Sequence, residues 1–368
     1  MTDPGVDAGI EEIDESRDGV LDDWERLAES VGANPFLHPG FVLAWQRAFG
    51  QGPLLLATIR SRGELTAAVP LVRRGAVLAS PANWHTPATG LLAQDDDAAT
   101  ALAKLLIGEH PRRISLAFLD RKDAGTTAIS AEARRAGYRI LERTLASPPY
   151  RDLAGDWEAF ESGMRSDIRG NLRRRRRRLE ERGEVSYLES DGRANLDELL
   201  DEVVRVEAMG WKGEQGTAIG SRPDTLRFYR DVASWAADRG WLRIHLLRLD
   251  GQALAVGFAL RVEGVHYVLK IGYDPEYRQL APGMLLLYEL FRGAFADGLR
   301  RVDMLGEDES YKRTWCPEVR ECIGLQAFSP SVPGRLDHLV FTQGRPLAKR
   351  LASRGLLGRF ATTDGPRL

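Results

Sequence analysis

Two dipeptides, Asp250-Gly251 and Glu263-Gly264, divide an apolar stretch into three β-prone runs at residues 241–249, 252–262 and 265–273. Two-residue hairpins favour such pairs because glycine tolerates positive φ, so the three runs are predicted to be consecutive antiparallel strands. Helical spacing surrounds them. Asn195 is a good N-cap with Glu198 three residues on, and Leu196, Leu199, Leu200, Val203 and Val206 form one apolar stripe before Gly210 stops the helix. A second helix is expected over 224–238 and a third over 283–297, ended by Gly298. A strand at 184–189 precedes this set, and strands at 301–305 and 319–328 close it.

The first half follows a similar plan with weaker signals. Helices are expected at 21–28 and 39–49, the latter with Phe41, Val42, Trp45 and Phe49 at helical spacing. Strands at 54–59 and 65–72 flank Ser61-Arg62-Gly63, a hairpin signal. After an irregular stretch come a helix at 98–107, a strand at 113–118, a helix at 124–136 and a strand at 138–143. A length of 368 residues suits two domains. The expected division is an acidic disordered leader at 1–18, a first domain at 19–150, a second at 151–330 and a basic tail at 331–368.

Charge is nearly balanced overall, 51 basic against 53 acidic side chains for a net of −2, and names no partner. It is unevenly spread. Residues 1–30 carry eleven Asp/Glu and two Arg, residues 165–182 nine Arg and three Asp/Glu, and residues 331–368 seven Lys/Arg and two Asp. An anionic partner should meet one of the two basic segments. The longest uncharged run, 76–94, contains Pro81, Asn83, His85 and Pro87 and cannot span a membrane as a helix. Met1-Thr2-Asp3-Pro4 lacks the features of a signal peptide, so a cytoplasmic location is expected, with the inner face of a membrane as the alternative site of action. Cys316 and Cys322 read as reduced thiols, no His pair has metal-ligand spacing, and no metal is expected.

Four segments in this order resemble the GNAT superfamily of N-acyltransferases. They are Asn34-Pro35-Phe36-Leu37 with Trp45; residues 166–182 (SDIRGNLRRRRRRLEER); Trp211-Lys212-Gly213; and residues 272–286 (GYDPEYRQLAPGMLL) with 306–315 (GEDESYKRTW). The resemblance is to the two-domain branch that includes Fem-type aminoacyltransferases and CelD-like acetyltransferases associated with polysaccharide synthesis. It implies an α/β (α+β) fold of two tandem GNAT-like domains, each a mixed, mostly antiparallel sheet flanked by helices, the first a degenerate copy. It also implies acyl-CoA, such as acetyl-CoA, as co-substrate.

In that fold the turn between the third hairpin strand and its helix holds the cofactor pyrophosphate on backbone amides at a helix N-terminus. The corresponding residues are Tyr273, Gln279, Gly283, Met284 and Leu285. Pro282 departs from the usual glycine and supplies no N–H. A Pro-Gly helix start serving only the fold is the competing account. The loop at 303–312 carries Asp303, Tyr311 and Lys312, which the resemblance makes candidates for catalysis, with Lys312 as an oxyanion or carboxylate partner. Glu307, Asp308 and Glu309 read as a solvated acidic turn. Trp211 and Lys212 are the acceptor-binding candidates; a surface loop anchored by one buried Trp is the alternative.

The run of six arginines at 173–178 covers every face of a helix, so part of it must lie against protein. The rest could guide CoA phosphates, a lipid-linked pyrophosphate glycan or tRNA, although no aromatic residue interleaves it for base stacking. In the tail, Leu347, Leu351 and Leu356 lie among Lys349, Arg350 and Arg354, the composition of a basic segment for peripheral membrane contact. Three functions are consistent with this reading. The first is N-acyl transfer from acyl-CoA to an amine of a sugar, peptide or lipid-linked glycan in envelope or exopolysaccharide metabolism. The second is Fem-like transfer from aminoacyl-tRNA, and the third a non-catalytic role beside a polysaccharide synthase.

Overall fold

A computed structural model describes residues 6–15, 18–209 and 219–344. The chain divides into two compact units, Met1–Ser147 with Glu321–Leu368, and Pro148–Arg320. In the first, α1 (Asp18–Ser30) and α2 (Pro39–Phe49) precede the hairpin β2 (Leu54–Ser61) and β3 (Glu64–Arg74), which β1 (Val6–Glu12) flanks on the β2 side. β4 (Val77–Ala79) pairs with β3, and the short β5 (Leu92–Ala93) pairs with β3 as well. Asp95 caps α3 (Asp96–Gly108) through the Ala98 amide at 2.8 Å, and Asp123 caps α4 (Ala124–Arg135) through Thr126 at 3.1 Å. β6 (Arg113–Asp120) lies parallel to β4, and β7 (Arg139–Ala146) ends the run. Leu102 and Leu106 of α3 close over Ile114, Leu116 and Leu325 to form this unit's core.

The second unit opens with β8 (Pro149–Asp152), α5 (Trp157–Gly163) and α6 (Ser166–Glu180), the helix that carries the arginine run. β9 (Val185–Ser190), α7 (Leu196–Met209) and α8 (Pro223–Asp238) lead to the three-strand meander β10 (Leu242–Leu249), β11 (Gln252–Val262) and β12 (Val265–Tyr273). Both hairpin turns are where the sequence puts them: φ is +49° and +81° at Asp250 and Gly251, and +49° and +70° at Glu263 and Gly264. Then come α9 (Pro282–Ala296), β13 (Arg301–Asp303), the short α10 (Ser310–Arg313) and β14 (Glu318–Val319). The sheet order is β14-β8-β13-β12-β11-β10-β9, with β12 and β13 parallel and the other pairs antiparallel. The chain thus has the expected fold class, two tandem α/β units of mixed sheet flanked by helices.

Three expectations are corrected. β15 (Cys322–Phe328) does not close the second sheet; it inserts between β6 and β7 of the first, and the second unit ends at Arg320 rather than near residue 330. Every residue of β15 is buried, which suits a central position with a neighbour on either side. The acidic leader is not wholly disordered, because residues 6–12 pair antiparallel with β2 as an exposed edge strand. Within the residues expected as a basic tail, α11 (Val332–Leu339) follows β15 and packs on it.

Candidate functional site

β12 runs for nine residues but pairs with β13 only over Val265–Tyr267 against Arg301–Asp303. Beyond that point, the chain after Asp303 turns away, with Leu305 and Gly306 both left-handed at φ +49° and +62°. Among the described residues, residues 268–273 of β12 therefore have a strand partner on the β11 side and none on the β13 side. An open strand edge between two parting parallel strands offers backbone N–H and C=O groups to an extended ligand.

The helix after β12 starts beside this edge. Asp274 caps the turn Pro275–Leu280 through the Glu276 amide at 2.9 Å, and Ala281 then adopts φ +46°, ψ +57° to redirect the chain into α9. The amides of Met284 and Leu285 both donate to the Ala281 carbonyl, at 3.0 and 3.2 Å. Because Pro282 has no N–H, Gly283 is the one first-turn donor not committed to that carbonyl. Of Gly283, Met284 and Leu285, expected together to offer amides to a pyrophosphate, this geometry leaves Gly283. A Cβ on Gly283 would sit 3.4 Å from the Tyr273 ring, whose side chain is 40% exposed at the end of β12. Gln279 lies in the preceding turn, exposed.

Lys312 projects back from α10 under the loop after β13. Its Nζ donates to the carbonyls of Leu305 at 2.9 Å and Glu307 at 3.0 Å and pairs with Glu309 at 3.0 Å, with the side chain 8% exposed. All three ammonium protons thus have a partner within the loop. Asp303, buried, accepts from the Leu305 amide at 2.9 Å and pairs with Arg320 at 3.1 Å. The two residues hold the left-handed turn from either end. Tyr311 is partly exposed, but desolvation of its hydroxyl and the neighbouring Glu309 push its pKa up, so it keeps its proton at neutral pH. Trp211 and Lys212 lie outside the described residues.

Cys316 is buried with Sγ toward the Val302 carbonyl at 3.8 Å, and burial pushes its thiol up. Trp315 and Phe291 stack at 5.1 Å, with Phe160 of α5 against Phe291 at 5.9 Å, to form the wall behind the loop. α6 buries Leu172 and Leu179 and lies against the Pro275–Leu280 turn and α9. Arg176 pairs with buried Glu289 of α9, while Arg173 and Arg177 remain 68% and 73% exposed. The arginine run is therefore split between anchoring and solvent.

Sequence patterns did not reveal a buried lysine in β12. Lys270, the one charged side chain in β12, sits 5.3 Å from the centre of the Tyr229 ring; burial lowers its pKa and the Glu207 carboxylate works against that shift. Its position in an otherwise apolar strand was the available signal. His245 and His266, each with the sequence context of a packed strand residue, share an Nε2···Nε2 contact of 3.0 Å, with the Tyr187 hydroxyl 2.8 Å from His245 Nδ1. Burial pushes His245 down to about 3 and His266 in the same direction, so both stay neutral. Among the described residues, no group of His, Cys, Asp and Glu could hold a metal ion, and no helix is long and apolar enough to cross a membrane.

None of the curated proteins matches the chain in sequence. Among solved structures it is similar to FemX, with a TM-score of 0.61 and 11% identity over 90% of this chain and 99% of that one. It is also similar to L-PGS from Bacillus licheniformis, with a TM-score of 0.53 and 17% identity over 95% and 99%. The C-terminal domain (DUF2156) of an Agrobacterium fabrum protein described as a putative lysylphosphatidylglycerol synthetase gives a TM-score of 0.53 and 12% identity over 87% and 96%. At these identities the likeness is one of fold. Residues 166–313, from α6 through α10, match the family described as Acetyltransferase (GNAT) domain.

Proposed function

We propose that the chain is an N-acyltransferase that binds acyl-CoA, with an acetyl group as the simplest acyl chain, along the open edge of β12. The observation that carries this reading is the parting of β12 and β13 directly beside the start of α9. The acyl-pantetheine arm would pair with residues 268–273, and the pyrophosphate would take the Gly283 amide at the helix N-terminus, with Tyr273 and Gln279 at its side. The acceptor amine attacks the thioester carbonyl, the N–C bond forms, the C–S bond breaks, and the amine's proton passes to solvent. Tyr311 of α10 is the candidate donor to the departing thiolate, its own proton then being restored from solvent. Lys312 and Asp303 are positioning residues that fix the loop. The acceptor is an amine of a sugar, peptide or lipid-linked glycan, for which Trp211 and Lys212 are the candidate contacts.

A second reading uses aminoacyl-tRNA as donor. It is favoured by the single uncommitted amide at the start of α9, a small anchor for a pyrophosphate, and by the exposed arginines of α6, which suit a phosphodiester backbone. Thiol release from acetyl-CoA on incubation with a panel of amino sugars and short peptides tests the first reading. Transfer of a labelled amino acid from charged tRNA, with no thiol released from acetyl-CoA, supports the second. Failure of both in folded protein leaves a binding role beside a polysaccharide synthase.

A further inference from the structure

α11 and the turn Val340–Gly344 leave an apolar stripe in solvent. Val332, Leu336, Leu339 and Val340 are 71%, 58%, 43% and 55% exposed. At about 100° per residue, these positions fall within one arc of about 100° of the helix surface. The opposite arc is committed to the first unit. Gly334 lies against Ser329, Asp337 pairs with Arg112 at 3.1 Å, and the rings of His338 and Phe341 pack on Phe328 at 5.3 and 5.4 Å. The Arg113 guanidinium lies 4.4 Å from the Phe341 ring centre. The helix is thus fixed along one face and displays the other.

The sequence C-terminal to the stripe is basic. Residues 345–368 contain six Lys/Arg and one Asp, and Arg335 sits beside the stripe on α11. We propose that this face docks on the surface of an anionic lipid bilayer, the four apolar side chains entering the headgroup boundary and Arg335 meeting the lipid phosphates. A helix lying in the plane of the interface takes this form, and each added cation strengthens attraction to an anionic leaflet. A second copy of the chain is a poorer occupant, because it would bring the same excess of positive charge against itself. The inference is independent of which acyl donor the second unit takes.

The test is co-sedimentation of the full chain with extruded vesicles of phosphatidylcholine alone and of phosphatidylcholine mixed with phosphatidylglycerol. Binding is expected only to the anionic vesicles, weakened by added salt, and reduced about tenfold or more in Val332→Glu/Leu336→Glu. Both positions are exposed, so the double variant keeps its melting temperature. Because Cys316 and Cys322 are buried, a Leu336→Cys variant can carry a polarity-sensitive dye at that site, and its emission should shift to the blue on the anionic vesicles. No binding, or equal binding by the double variant, overturns the proposal. So does a dimer in sedimentation equilibrium that the double variant abolishes, which assigns the stripe to a second copy.

Discussion

The ammonium of Lys312 and the carbonyl of Leu305, seven residues apart in sequence, meet at 2.9 Å across the turn that ends β13. Leu305 is left-handed there at φ +49°, a conformation that a branched side chain adopts only when its surroundings hold it. Lys312 supplies part of that hold from the carbonyl side and Asp303 from the amide side.

Lys312→Met should therefore act first on stability. Two charge-assisted hydrogen bonds from a nearly buried ammonium are lost, a change of about 2 to 4 kcal/mol. Urea unfolding measures it, and steady-state kinetics should show donor affinity and turnover falling together. A lower turnover rate with unchanged stability and donor affinity would instead put the ammonium on the reacting atoms.

Tyr311→Phe should have the opposite signature. If its hydroxyl donates to the leaving thiolate, turnover should fall on the order of 100-fold with donor affinity and melting temperature little changed. A variant with wild-type turnover would remove Tyr311 from the reaction.

Gly272 lets α7 approach β12. A Cβ there would lie 2.7 Å from the Cα of Glu207, a backbone atom that cannot rotate away. Gly272→Ala is expected to destabilise the second unit by about 1 to 3 kcal/mol, read from the urea midpoint. An unchanged midpoint would contradict the close approach.

The buried pair His245 and His266 gives the fold an acid sensitivity. Both stay neutral in the folded chain, while in the unfolded chain each takes up a proton below about pH 6.5. The unfolded state then binds more protons, so stability is full above that pH and falls as pH drops, by about 1.4 kcal/mol per pH unit per histidine. Urea midpoints at pH 7.5 and 5.5 measure the loss. His245→Gln/His266→Gln should flatten that dependence, and an unaltered slope in a folded double variant would assign it to other groups.

Local signals carried most of the second unit. Asp250-Gly251 and Glu263-Gly264 marked both hairpins, and the stripe from Leu196 to Val206 marked α7. The sheet that β15 joins could not be read in the same way, since Cys322–Phe328 is a short, mostly apolar run that would suit the interior of either sheet. β1 was missed because its acidic residues sit on an exposed edge, where composition resembles a solvated segment. At the candidate site, the sequence singled out Gly283 and Lys312 but not the hydrogen bonding around them. That bonding depends on the left-handed Ala281 and Leu305, two conformations that neither residue type announces.

Titration calorimetry of the folded chain with acetyl-CoA, repeated with Gly283→Val, tests the central claim most directly. The account predicts saturable binding at one site, weakened about tenfold or more in the variant as the added side chain presses on Tyr273 and screens the amide, with a far smaller effect on melting temperature. Absence of binding to the folded wild-type chain, or equal affinity in the variant, would contradict an acyl-CoA site at the start of α9.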